Sequence, residues 1–469
     1  MSVSCVIYLD IYIWQCYKIE SYISCDSCNV FHESRALKTA TLKKENQIVK
    51  VQATLTKEVK EEPPSTSATT VQLEDEEPPG KTATAQRRLF CTTPSEHWND
   101  WRWQFRNRIT TVEGLSKYVH LTPQERSRLR LVSIKYPLAI TPYYLSLMNP
   151  DDHADPIRMQ SLPAAEELSM ASCGMEDPLA EEEHSVVPGL VHRYPDRVLM
   201  VLTDICPMLC RHCTRKREWR HGGWVRTSQE VEAMLGYIRD HQEVRDVIIS
   251  GGDPLTLSTQ RLEEVLAGIR SIKHVEIIRI GTRVPVVLPQ RVDDELCNML
   301  SKYGPIWLNT HFNHPKELTP EAAKACDRLV RAGVPVNNQS VLLKGVNDSV
   351  ATQLKLCQGL LKIKVRPYYL FQCDDVQGTE HFWTPVETGI NIIQGMRGFT
   401  SGLAVPTFVI DLPNGGGKIP VQPDYILERN AEELTVRNYQ GKIIHYANPS
   451  GAKIRNPQTE LVCDEAIPA

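Results

Sequence analysis

Val198-Leu-Met-Val-Leu-Thr-Asp-Ile-Cys206-Pro-Met-Leu-Cys210-Arg-His-Cys213 is the stretch on which the reading of this chain turns. Its first six residues form a short apolar run of the kind that makes a buried strand, and the loop behind them carries three cysteines in eight positions. Downstream, the same unit recurs. Short β-branched runs at 198–203, 246–250, 275–280, 306–310, 334–338 and 364–371 alternate with amphipathic stretches at 228–240, 258–271, 292–303, 319–332 and 349–362. Such alternation predicts repeated βα units around a parallel sheet. Six units, closed by a seventh extended run at 407–411, predict an α/β fold of partial (β/α)6-barrel type. In such folds the chemistry sits where the strands end, and the cysteine loop lies there.

Upstream, Trp98, Trp101 and Phe105 fall on one helical face that Ile109 and Val112 extend, and Thr122-Pro-Gln-Glu125 reads as a capped helix start. A helical N-terminal region is therefore expected over 93–187, the barrel over 188–420 and a C-terminal segment over 421–469. Residues 1–92 are expected to be a disordered extension. Lys, Glu, Pro, Ser and Thr dominate from about Lys43 to Arg88, too little apolar surface to offset ordering entropy. Cys25-Asp-Ser-Cys28 has half the spacing of a zinc site but no second pair nearby.

Composition narrows the function. The chain has 469 residues, 41% of them hydrophobic, and a formal net charge of −4 from 57 acidic and 53 basic residues spread along it. That balance offers no electrostatic footprint for nucleic acid or an anionic membrane, and no apolar run approaches the roughly 18 residues of a spanning helix. Small-molecule partners are expected. Fourteen irregularly spaced cysteines argue against a secreted disulfide framework and for a reducing, cytoplasmic setting, with an organelle left open by the N-terminal extension.

Three thiolates on one loop can each hold one iron of a [4Fe–4S] cube and leave the fourth iron open to chelate the amino and carboxylate groups of S-adenosylmethionine. The competing reading, a closed zinc site, would need His212 as fourth ligand beside Cys213, a strained arrangement. Gly251-Gly-Asp253-Pro follows the second strand; alone it would be an ordinary strand-end turn. Near the far end, Asp411-Leu-Pro-Asn-Gly-Gly-Gly-Lys418 sets a lysine on a glycine loop. Such loops either cradle phosphate or free a lysine to form a Schiff base, as pyridoxal phosphate requires. It is not a Walker loop, since neither Ser nor Thr follows the lysine.

The span from about Trp98 to Asn448, roughly three quarters of the chain, resembles the lysine 2,3-aminomutase family of radical S-adenosylmethionine, pyridoxal-phosphate enzymes. The resemblance is carried by the Cys-x3-Cys-x2-Cys loop and by Trp101-Arg-Trp-Gln104, Arg106–Glu113, Ala139–Ser146, His192–Arg197, Leu308–Pro315 and Val365–Tyr369. It implies a radical S-adenosylmethionine barrel with the cluster on Cys206, Cys210 and Cys213. Gly251, Gly252 and Asp253 would then meet the methionine part of S-adenosylmethionine, and His212 its adenine. Lys418 would carry pyridoxal phosphate, and Arg193, Tyr194 and Arg197 would hold its phosphate. Arg215 would meet the substrate carboxylate, and Asp374 and Asp411 the distal ammonium of L-lysine, where glutamate-specific relatives carry Lys and Asn.

The implied reaction is radical migration of the amino group between Cα and Cβ, an isomerisation of L-lysine to β-lysine fed by an external one-electron donor. Other readings are a 2,3-aminomutase for glutamate or for a protein-bound lysine, and a silent cluster-binding scaffold. A homo-oligomer is also implied. Structural zinc is not expected, because Gly345-Val-Asn-Asp-Ser349 ends in serine where bacterial members have cysteine, and the tail offers only Cys463.

Overall fold

The expected strands join one ten-stranded sheet in the computed structural model, which describes residues 90, 92–169, 174–220 and 222–448. They are β1 (Ser185–Val187), β2 (Leu190–Tyr194), β3 (Arg197–Val201), β4 (Asp246–Ser250), β5 (Ile277–Gly281), β6 (Ile306–Thr310), β7 (Val336–Leu342), β8 (Val365–Gln372), β9 (Thr407–Leu412) and β10 (Gly417–Pro420), and order in the sheet follows order in the chain. From β3 to β9 every neighbour is parallel, while β1 and β2 at one end and β10 at the other run antiparallel. The six expected strands are β3 to β8, and the seventh run is β9. Among the described residues β1 and β10 do not pair with each other, so the barrel is partial. All described residues fall in one compact unit spanning 77–469. Most of the expected N-terminal extension, with Cys25 and Cys28, lies outside the described residues, as does Cys463.

The burial pattern of β3, β4 and β5 alternates strictly. Val198, Met200, Val247, Ile249, Ile278 and Ile280 are buried in one core cluster with Val231, Met234 and Leu235 of helix Ser228–Asp240 and Leu262 and Leu266 of helix Thr259–Arg270. Each such aliphatic contributes about 1.5–3 kcal/mol when fully buried. The alternate residues lie on the other face and include charges, such as Arg279 paired with Asp246 at 2.6 Å. A polar inner face is what a barrel with a working interior needs.

Helix starts follow their caps. Thr122 with Glu125 and Thr227 with Glu230 close capping boxes, and proline takes the first turn of Pro123–Lys135. The expected single aromatic face near Trp98 is corrected. Asp100 adopts an extended conformation and caps a second helix through Arg102 N, which splits the stretch into Ser95–Asn99 and Trp101–Arg106. Competition by a short polar side chain outweighs the apolar spacing there. Beyond β10, β11 (Ile426–Arg429), β12 (Glu433–Arg437) and β13 (Ile443–Ala447) form a separate antiparallel sheet.

Candidate active site

The loop behind β3 is anchored before its cysteines can be useful. Arg211 is fully buried and donates to Glu167 through Nε at 3.0 Å and Nη2 at 2.6 Å, and to the carbonyls of Pro137 and Tyr136 at 2.7 and 3.2 Å. Lys216 Nζ reaches Glu167 Oε2 at 2.9 Å and the Gly378 carbonyl at 2.7 Å. The loop is thereby bound to the helical region and to the turn after β8. Burial opposes ionisation of Glu167, yet the two cations hold its carboxyl below the usual range.

Around these anchors stand Cys206, Cys210 and Cys213, free and half-buried. Burial pushes the Cys213 thiol up to about 11 and raises Cys206 well above its ordinary value, helped at Cys206 by Asp253 and at both by the neighbouring thiols. Three crowded thiolates require positive charge, and the irons of a cluster would supply it. Arg283, directly after β5, donates from Nη1 to Cys210 Sγ at 2.9 Å and from Nη2 to Glu317 and Gln160 at 2.8 and 2.6 Å. No three His, Cys, Asp or Glu side chains among the described residues converge on one point as a single metal ion demands. Thiols that each cap a different iron do not have to converge.

Gly251, at φ +145°, and Gly252 lie directly on the 203–205 backbone, where a Cβ would collide. Asp253 turns inward. Its carboxylate accepts from Thr282 Oγ1 at 2.6 Å, Arg283 N at 2.8 Å and Leu255 N at 3.1 Å, so it braces the glycine turn with its side chain. His212 stacks on His311 with ring centroids 5.2 Å apart and Nε2 atoms 3.0 Å apart. Burial and Arg283 hold both imidazoles neutral, while His212 Nδ1 is buried without a hydrogen-bond partner. An orphaned buried nitrogen beside the thiol loop and the glycine turn fits a nucleoside base.

Arg215, two residues past Cys213, pairs with Glu181 at 2.6 Å and donates to the Gly251 carbonyl at 3.0 Å. Across the sheet, antiparallel pairing of β10 with β9 sets Lys418 opposite Asp411, and Lys418 Nζ meets Asp411 Oδ1 at 2.8 Å. Asp374, just past β8, joins them. Burial and then the Asp411 carboxylate push its carboxyl up to about 7, against the pull of Lys418. Tyr194 Oη accepts from Lys418 N at 3.0 Å, and the guanidinium groups of Arg197 and Arg193 lie 4.0 and 4.9 Å from its ring centre. These three come from β2 and the start of β3, the opposite end of β3 from the cysteine loop, and Tyr194 reaches β10. A partly exposed lysine beside a phenol that two arginines flank fits an aldehyde cofactor with a phosphate tail.

Sequence reasoning missed Arg283 and Glu181. Arg283 could have been flagged by its place at the end of β5. Glu181 sits in Glu181-Glu-Glu183, and nothing in that run singles it out.

The Radical SAM superfamily model matches residues 200–355, from within β3 to beyond β7 with the cysteine loop, and defines the class as radical S-adenosylmethionine proteins. A second family model, Lysine-2,3-aminomutase, matches residues 393–466. The chain is 53% identical over 361 residues to an L-lysine 2,3-aminomutase of Clostridium subterminale, covering 77% of this chain and 87% of that one. It is 51% identical to the L-lysine 2,3-aminomutase of Bacillus subtilis, covering 77% of each chain. Identity to a glutamate 2,3-aminomutase of Clostridioides difficile is 43%, over 77% and 85% of the two chains. The chain belongs to the lysine 2,3-aminomutase family.

Proposed function

We propose that this protein is an isomerase that interconverts L-lysine and β-lysine with a [4Fe–4S] cluster, S-adenosylmethionine and pyridoxal phosphate. The observation that carries the reading is the meeting of Asp374 and Asp411 at Lys418, with the Arg215 guanidinium elsewhere in the same site. Two carboxylates favour a side chain ending in ammonium and repel one ending in carboxylate. Asp411 already holds a lysine ammonium, that of Lys418, at 2.8 Å.

Cys206, Cys210 and Cys213 would hold the cluster, while the Gly251–Gly252 backbone and His212 would hold S-adenosylmethionine, with Asp253 bracing the turn. Arg193, Tyr194 and Arg197 would take the phosphate of pyridoxal phosphate, and Lys418 its aldehyde. When bound, these groups supply hydrogen-atom abstraction and return, and a ring that delocalises an unpaired electron. The protein contributes orientation and exclusion of water. To act as a nucleophile Lys418 must lose a proton from Nζ, and the Asp411 carboxylate is in hydrogen-bond reach to take it. Arg215 would orient the substrate by its carboxylate, which brings Cα and Cβ to the same place in each turnover.

Further parts of the reading rest on sequence. A reducing cytoplasmic setting and the absence of nucleic-acid or membrane partners fit the charge and cysteine pattern, and an external one-electron donor follows from the family's chemistry. Among the described residues no helix is long and apolar enough to cross a membrane. A homo-oligomer belongs to the same reading and follows from the family resemblance. The division at 92, 187 and 420 into extension, helical region, barrel and C-terminal segment follows the changes in composition and pattern.

The test is an anaerobic product assay on reconstituted protein with dithionite and both organic cofactors. β-Lysine from L-lysine is the expected product. No β-lysine from protein with a full cluster, or faster turnover of glutamate, would sink the reading.

A further inference from the structure

We infer that Glu181 is a positioning residue for Arg215, holding the guanidinium so that its terminal edge receives the substrate carboxylate. This rests on the reading of Arg215 given above. Glu181 Oε1 accepts from Arg215 Nη2 at 2.6 Å and Oε2 from Nε at 2.9 Å, so Glu181 occupies the side edge of the guanidinium. Nη1 donates to the Gly251 carbonyl at 3.0 Å and to Ser250 Oγ at 3.3 Å. A planar fork bonded at both ends cannot turn about its own axis. Among the described residues Glu181 is the only acceptor for Nη2, which carries two hydrogens, so the Nη1–Nη2 edge retains a donor for a second carboxylate.

Glu181 is itself held. Arg217 Nη2 donates to its Oε2 at 3.0 Å, and Arg217 pairs in turn with Asp177 at 3.3 Å, so charge alternates along Arg215, Glu181, Arg217 and Asp177. Arg217 offsets the repulsion that Glu181 would exert on an arriving carboxylate. The backbone around Glu181 is tied to the rest of the site. Met175 N donates to the Asp375 carbonyl at 2.9 Å, Asn414 N to the Pro178 carbonyl at 3.0 Å, and Arg193 Nη1 to the Leu179 carbonyl at 3.1 Å. One segment thus fixes the guanidinium relative to Asp374, to the glycine loop before Lys418 and to Arg193. Such support from behind is what keeps a binding group within a fraction of an ångström of its working place.

The test uses reconstituted holoenzyme, L-lysine, and 1,5-diaminopentane as an inhibitor that has both amines and no carboxylate. Glu181→Gln keeps the shape and removes the charge. It should raise KM for lysine roughly tenfold or more, the scale of a charge-assisted hydrogen bond, with a smaller change in kcat and an unchanged inhibition constant for the diamine. Glu181→Asp should recover part of the loss and carries the same comparison if the glutamine variant fails to fold. Adding Glu181→Gln to Arg215→Met should weaken lysine binding no further than Arg215→Met alone. An unchanged KM for lysine in Glu181→Gln, or equal weakening of lysine and diamine, overturns the inference while leaving the role of Arg215 intact. An unchanged KM in Arg215→Met overturns the reading of Arg215 and the inference with it.

Discussion

The cysteine loop and the lysine hairpin are built in opposite ways. Arg211 in the middle of the loop is inaccessible to solvent and donates two bonds to one carboxylate and two to main-chain carbonyls of the helical region. Lys418 lies on β10 at the end of the sheet with its side chain 33% exposed, held by one ion pair and stacked 5.1 Å above Phe371. Ligands of a cluster that must pass electrons have to stay fixed. A lysine that carries a cofactor and releases it to each substrate has to be movable. Both would come from one sheet, the cysteines from the loop after β3 and the lysine from the antiparallel end strand β10.

That contrast can be broken from either side. The largest effect is expected from Lys418→Ala, which should abolish turnover while iron and sulfide content stay at the level of the parent protein. Cys210→Ser should abolish both, and loss of iron in the lysine variant would show that the two regions depend on each other. Next comes stability. Glu167→Gln leaves Arg211 and Lys216 buried without their shared counter-charge and should cost about 3–5 kcal/mol, read from urea unfolding. A loss below about 1 kcal/mol, the scale of an exposed pair, would mean the anchor is not what fixes the loop.

The smallest effect concerns pH and the movable side. Burial and Asp411 push Asp374 up to about 7 in the free protein, and an arriving ammonium prefers the ionised carboxylate. Below that pH the carboxyl is protonated and must lose its proton before lysine can bind. KM for lysine should therefore fall as pH rises from about 6 to about 8, by at most about tenfold per unit, and then level off. Asp374→Asn should raise KM and flatten the profile. A profile that keeps its shape in the variant would assign the titration to another group.

Much of this was legible in the chain. The strand and helix pattern from β3 to β9 follows from local apolar spacing, and the capping signal at Thr122 marked a helix start to the residue. The aromatic stretch near Trp98 was not, because a single aspartate capping the next turn interrupts an otherwise regular face. β10 to β13 escaped notice as well. Their residues are largely exposed, so no alternation of buried and exposed positions marks them.

The sequence by itself determined the kind of chemistry: three soft ligands within eight residues, a lysine on a glycine loop, and two aspartates near the ends of their strands. Each is a local property of spacing and side-chain type. Only the tertiary structure decided that Asp411 faces Lys418 by antiparallel register, that Asp374 is buried near Asp411 and so titrates near neutrality, and that Tyr194 meets Lys418 from 224 positions away. It alone made Glu181 the partner of Arg215. Pairings between distant segments depend on sheet order, register and where the barrel stays open, and none of these is recorded in any short stretch of chain.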